Sequence, residues 1–337
     1  MTAPAPRLRT GVIGLGVGEQ HLAAYQADPR CEVVVVCDIS PDRLAAVARR
    51  VPGARATTDA AEVWQGPDVD AVSIATFDDG HFAQARNALE KGKHVFVEKP
   101  LCTTHEELST LADVHRRHPE RVVASNLVLR AAPLFSWLRA RIRDGDLGQV
   151  YAFDGDYLYG RLHKITSGWR GGIEGYSVML GGGIHMVDLM IWLLGERPVS
   201  VHAVGNRIAT QGSTFAQEDF AGATYVFPSG AVGRITANFG CVHRHQHVVR
   251  AFGTKATVVS DDRGARISRG RDPEPSEDLS LSPLPASKGA LVGGFVDAAL
   301  GVSRQDPDVE HEFAVVAACL AADRSMKSGA AVEIGYP

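Results

Sequence analysis

Between Arg9 and about residue 128, short apolar runs alternate with longer amphipathic segments, and few folds accept that order. TGVIGLG, CEVVVVCD, DAVSIAT, HVFVEKP and RVVASNLV are the apolar runs. They read as strands buried on both faces, as in the middle of a parallel sheet. EQHLAAYQAD, PDRLAAVARRV, GHFAQARNALEKG and THEELSTLADVHRRH lie between them with helical periodicity. Ser40 and Pro41 supply a cap and a first-turn residue for the second of these helices. Such repetition predicts a doubly wound parallel sheet with right-handed crossovers.

The pattern changes after about residue 145. A helix around PLFSWLRARIRDG closes the first part. QVYAFDGDYLYG, VSVHAVGNRIAT, FAGATYVFPSG, AVGRITANFG and HQHVVRAFG then read as strands with hairpin signals between them. One helix, GIHMVDLMIWLLG, is inserted, residues 261–288 read as irregular, and two helices end the chain. A length of 337 residues suits two domains. The expectation is an α/β protein. Residues 1–128 form a dinucleotide-binding domain, and 129–337 form an α+β domain with a large, mostly antiparallel open sheet, the last helix packing back on the first domain.

The net charge of −4 offers no basic footprint for nucleic acid or for an anionic membrane. Five widely spaced cysteines form no zinc or CxxC pattern, which suits a reducing compartment. The opening MTAPAPRLRTG has no apolar signal core, and no apolar run reaches membrane-spanning length. A cytoplasmic protein is expected.

GLGVGEQH follows the first strand. A dinucleotide site needs a tight turn, close backbone approach to the phosphates, and a helix aiming its amides at them. Gly14 and Gly16 stand where that turn wants them, with Val17 beside them. The third glycine comes one residue early, at Gly18, and Glu19 takes its place. Asp38 ends the second strand 22 residues after Gly16. A carboxylate there accepts hydrogen bonds from ribose hydroxyls and repels a 2′-phosphate, and Ile39 and Ser40 supply no positive charge after it. NAD is therefore favoured over NADP.

HVFVEKP places Lys99, one of seven lysines, after a buried strand on the side of the sheet where ligands bind. Lys99–Pro100 is a candidate cis bond. GLGVGEQH, ATFDDGH, GKHVFVEKPL and GGGIHMVDLMIWLLG together resemble the Gfo/Idh/MocA oxidoreductases over nearly the whole chain. The resemblance implies a Rossmann domain followed by an open sheet that often builds a homodimer or homotetramer. It also implies NAD or NADP, and hydride transfer at a secondary alcohol of a sugar or cyclitol. By resemblance Lys99 and His185 are catalytic, with Asp188 as the acid following the histidine. Ala75, Thr76 and His81 belong to the loop covering the nicotinamide, Glu98 is the glutamate of the EKP motif, and Asn126 and Arg130 lie near cofactor or cleft. Many members carry an aspartate four residues before the histidine; Gly181 stands there in this chain. The proton relay then rests on Lys99 and His185, as in the sugar-nucleotide branch.

Oxidising an alcohol needs a base within hydrogen-bond reach of the hydroxyl. A partly buried lysine near a cationic ring suits that task. Asp188, three residues after His185, either orients the imidazole or satisfies another polar contact. Tyr157, Tyr159, Arg161 and His163 fall on one face of an extended run and suit a polyol, with Trp169, Arg170 and Tyr176 following. In HRHQH, His243, His245 and His247 share a strand face. No carboxylate or cysteine completes a metal site there, so His245 is read as a substrate donor and no metal is expected. The substrate is a nucleotide sugar, a sugar or cyclitol, or a sugar unit of a natural product such as an aminoglycoside. A redox-neutral glycosidase and a non-catalytic nucleotide sensor are the alternatives.

Overall fold

The computed structural model describes residues 7–271, 276–306 and 308–337. Most of the amino-terminal stretch read for a signal, and four residues of the segment read as irregular, lie outside the described residues. The chain divides into two compact units. The first holds residues up to 128 and 286–313; the second holds 129–285 and 314–336.

In the first unit, strands β1 (Leu8–Ile13), β2 (Cys31–Cys37), β3 (Arg55–Thr57), β4 (Ala71–Ile74), β5 (His94–Val97) and β6 (Val123–Ser125) form one sheet in the order 3-2-1-4-5-6. Every pairing in it is parallel. The intervening helices are α1 (Gly18–Ala27), α2 (Pro41–Ala48), α3 (Ala61–Gln65), α4 (His81–Glu90) and α5 (His105–Arg117). Ser40 caps α2 as the sequence predicts, accepting from the Arg43 amide. Strand order reverses between β1 and β4, so the chain leaves their carboxyl ends in opposite directions and opens a crevice there.

In the second unit, α6 (Pro133–Arg143) precedes β7 (Val150–Leu158), α7 (His163–Thr166) and α8 (Ile184–Leu194). Strands β8 (Ser200–Asn206), β9 (Phe220–Val226), β10 (Val232–Asn238), β11 (Gln246–Gly253), β12 (Thr257–Asp261), β13 (Gly264–Ser268) and β14 (Glu277–Leu279) follow. After α9 (Val292–Ala299), α10 (Val309–Ser328) leads to β15 (Val332–Glu333). The nine-stranded sheet runs 14-13-12-11-7-10-9-8-15, and β7–β10 is its parallel pair. One face is filled by α8, with Met186 against Gly155 and Ile191, Leu189 and Met190 buried.

Three expectations change. Residues 261–288 contain the turn after β12, then β13 and β14, because Ala265 and Ile267 alternate inward beneath a polar surface that masked the strand. The extended run at GDYLYGRLHK stops at Leu158: Gly160 turns with φ +59, and His163 opens a helix, so His163 does not share the tyrosine face. It is α9 that joins the first unit, with Phe295 against Phe96 at 5.4 Å, whereas the body of α10 belongs to the second.

Candidate functional site

In the first unit the turn after β1 has the geometry the glycines promised. Gly14 has φ +85, and its amide donates to the Cys37 carbonyl at 2.8 Å. A Cβ on Gly14 would strike the backbone of Ala75, with the Thr76 nitrogen at 2.9 Å, so only glycine fits. A Cβ on Gly16 would meet nothing within 4 Å; this part of the turn is open. Gly18 lies 3.2 Å, measured from its would-be Cβ, from the Ala75 methyl, bringing α1 close to β1 and β4. The displaced third glycine thus still does the close packing, and Glu19 turns outward to Arg50 at 2.8 Å. No side chain at Val17 caps α1, so the first amides of that helix face the opening.

Asp38 is 4% exposed. Its carboxylate accepts from the Leu15 amide at 2.7 Å and the Ser40 amide at 2.8 Å, tying the glycine turn to the end of β2. Arg43, which the sequence reading passed over, reaches Asp38 at 3.4 Å. An open glycine turn, an uncapped helix start and a carboxylate at the end of β2 fit a dinucleotide.

Lys99 follows β5 half-buried, and the Lys99–Pro100 bond is cis. Beside it lies a buried polar chain that the sequence reading saw only in part. Ser73 Oγ sits 3.0 Å from His21 Nδ1, and His21 Nε2 sits 3.2 Å from Glu98 Oε1. Asn126 Nδ2 donates to Glu98 Oε1 at 2.7 Å and to the Lys288 carbonyl at 2.8 Å. Burial alone would push the Glu98 carboxyl up, but the hydrogen bond and charge of His21, helped by Asn126 and Lys288, hold it at about 2. His21 and Ser73 were missed because their partners are far away in sequence; the signal was a histidine on the buried face of the helix after the turn. His81 is fully buried, with Nδ1 2.7 Å from the Pro100 carbonyl and Nε2 3.2 Å from the Thr76 carbonyl. It therefore ties the loop after β4 to the loop after β5, with both nitrogens turned to backbone.

In the second unit a ring cluster gathers around His185. Tyr157 stacks on Tyr159 at 5.9 Å and on His185 at 6.0 Å. His245 and His247 lie 5.2 and 5.4 Å from Tyr157, and 4.9 Å from each other. His247 also reaches His185 at 6.1 Å, and Tyr159 packs on Phe239 at 4.5 Å. The β7–β11 register pairs Tyr157 directly with His247, which puts the two rings on one face. Burial, then His245 and Arg161, pushes His247 down to about 3, so it is neutral at physiological pH. Tyr176 joins through Phe239 at 6.3 Å, and Arg161 lies over Tyr159 at 5.6 Å. Trp169 stacks under Arg170 at 4.3 Å.

One expectation is corrected here, and one open reading gains a partner. His243 leaves the face of His245 and His247, because β11 begins only at Gln246; its Nε2 pairs with Asp262 at 3.0 Å. Asp188 and Arg130 meet each other: the guanidinium grips the carboxylate from Nε and Nη2 at 2.6–3.0 Å, and both are buried. The acid after the histidine thus forms a buried, bidentate ion pair. Gly181 also gains a reason. A Cβ there would run into the Tyr176 phenol, whose Cζ would be 2.6 Å away, so the tyrosine fills the space an aspartate side chain would need.

Comparison with known proteins places these units. Residues 8–126 match the family described as an oxidoreductase family with an NAD-binding Rossmann fold, and residues 135–259 match the GFO/IDH/MocA C-terminal domain. An inositol 2-dehydrogenase of Acidothermus cellulolyticus is 30% identical over 59% of this chain and 57% of its own length. A levoglucosan dehydrogenase of Pseudarthrobacter phenanthrenivorans is 28% identical over 75% of this chain and 73% of its own. The solved structure of a levoglucosan dehydrogenase in complex with NADH superposes with a TM-score of 0.84 at 23% identity, covering 98% of this chain and 100% of that one. The fold is shared throughout.

Proposed function

Because the chain belongs to the Gfo/Idh/MocA oxidoreductase family, and is an NAD-dependent oxidoreductase, we propose that it oxidises a secondary ring hydroxyl of a sugar-like substrate to a ketone. The observation that carries this reading is His185, packed in one ring cluster with Tyr157, Tyr159, His245 and His247 on the second unit. Aromatic faces with polar tips suit a hydroxylated ring. The curated relatives named above act on inositol and on levoglucosan, which agrees with that class.

NAD, when bound, takes up the hydride that leaves the carbinol carbon. Gly14, Gly16, Val17 and the first amides of α1 hold its diphosphate, and Asp38 holds the ribose. Lys99 accepts the hydroxyl proton as the base. His185 shares the hydroxyl and hands the proton to solvent. Neutral His247, packed beside it, adds no repulsion when His185 charges. Asp188 and Arg130, held in their ion pair, position α8 and the start of the second unit. Ala75, Thr76 and His81 shape the loop after β4, with His81 acting from beneath. Glu98 and Asn126 fix the backbone around Lys99, and Arg161, Trp169, Arg170 and Tyr176 border the sugar. A homodimer or homotetramer through the uncovered sheet face is part of the same reading, supported by Val204 and Val226 standing 58% and 41% exposed there.

The test is a panel of sugars, cyclitols and glycosides with NAD, followed by absorbance of the reduced cofactor. The reading expects net NADH with at least one of them. Product without net NADH would favour the redox-neutral glycosidase. Tight NAD binding with no turnover of any would remove the dehydrogenase.

A further inference from the structure

A cavity of about 500 Å³ lies in the second unit, beside the ring cluster. His245 and His247 form the wall nearest His185. Ser260 and Ala265, directly paired across β12 and β13, also line it. Leu281 and Leu284, on the chain beyond β14, line it as well. A cavity of this size is of the class that takes a drug-sized ligand, more than one sugar ring. The acids at its rim are matched: Asp261 pairs with Arg266 at 2.7 Å, and Asp262 with Arg244 at 2.8 Å and with His243 at 3.0 Å. Those partners hold both carboxyls below their usual range, and the rim presents balanced charge.

We propose that this cavity seats the substituent on the anomeric carbon of the sugar, and that the substrate is a glycoside with a neutral, largely apolar aglycone instead of a free sugar or cyclitol. The proposal rests on the dehydrogenase reading for the placement of the sugar ring against Tyr157 and His185. Three physical features support it: the cavity opens beside the histidines of that cluster, its far wall is leucine, and its acids are already neutralised. Among the described residues, a charged substituent would find no unmatched partner at that rim. An alkyl or aryl group would remove leucine surface from water.

The experiment pairs methyl and p-nitrophenyl glycosides of each sugar in the panel, with NAD and the full chain. For the sugar turned over best, the aryl glycoside should show a kcat/KM about ten-fold or more above the methyl glycoside, through KM. Leu284→Asp, at a residue 54% exposed and so harmless to folding, should remove that advantage and leave the methyl glycoside within about two-fold. Leu281→Ala should reduce it in part. Equal kinetics for the two glycosides, or a Leu284→Asp loss shared by both, would overturn the proposal. If neither glycoside is oxidised, the dehydrogenase reading fails by itself. Saturation-transfer NMR with the p-nitrophenyl glycoside then decides the cavity: signal in wild type that Leu284→Asp abolishes supports it, and equal or absent signal overturns it.

Discussion

Replacing Glu98 by Gln tests the buried chain beside Lys99. Each pKa unit corresponds to about 1.4 kcal/mol. A carboxyl titrating at about 2 instead of the usual 4.5 therefore contributes about 3 kcal/mol to folding at neutral pH. The folded value is depressed, so this contribution is complete above the unfolded value and is lost as pH falls through 4.5 toward 2. Linkage leaves roughly 1.5 kcal/mol of it at pH 3. His21 Nε2 and Asn126 Nδ2 both meet Glu98 Oε1, so Gln can keep that acceptor while losing the carboxylate charge that the chain stabilises. The assay is urea unfolding of the full chain, with hydrogen exchange of the β4 and β5 amides as the local readout, because the two units need not unfold together. Glu98→Gln should lower the opening free energy of those strands by about 2–3 kcal/mol at pH 7 and by roughly half that at pH 3. A change under about 0.5 kcal/mol at pH 7, or a wild-type pH dependence in the variant, would refute the reasoning.

Three further outcomes follow from the same geometry. Asp38→Ala should weaken NAD at least ten-fold by fluorescence titration and narrow the preference over NADP, helped by Arg43 at 3.4 Å; an unchanged preference would remove Asp38 from the ribose. Gly181→Ala should cost about 1–3 kcal/mol by overpacking on Tyr176, and Tyr176→Ala in the same chain should relieve part of it; strict additivity in a double-mutant cycle would show that the two do not touch. Burial pushes Asp323 up to about 7 despite the Ser177 hydroxyl at 2.9 Å. Its folded value lies above the unfolded one, so it binds its proton on folding and its ionisation costs stability as pH rises from 4 to 7. Asp323→Asn should therefore melt above wild type at pH 8 and close to it at pH 4; a constant difference would contradict this.

The parallel sheet was legible because CEVVVVCD and its fellows are continuous apolar runs joined by capped helices, a local signal. β3 and α3, three and five residues long, left no such pattern. The tyrosine face of β7 was legible up to the residue where Gly160 enters the left-handed region, and was misread beyond it. The shortened glycine turn was legible as a nucleotide turn; what Gly18 does needed Ala75, which comes from another strand. For Asp188, helix spacing left two readings open, orienting the His185 imidazole or another polar contact. Its ion-pair partner, Arg130, is 58 residues away, and no periodicity reports that. His21 stood in view beside the glycines, but its role depends on Ser73, Glu98 and Asn126, brought together only by the sheet order. His247 entered the ring cluster through a strand register that was equally hidden.

The most direct test of the central claim follows the hydrogen atom itself. A substrate from the panel, carrying deuterium on the ring carbons that bear secondary hydroxyls, is incubated with NAD, and the reduced cofactor is weighed by mass spectrometry. Wild type should yield NADH carrying one deuterium. Lys99→Met should lower its rate of formation by two or more orders of magnitude while NAD binds within about two-fold of wild type. Unlabelled NADH, or a Lys99→Met rate within a few-fold of wild type, would contradict the account.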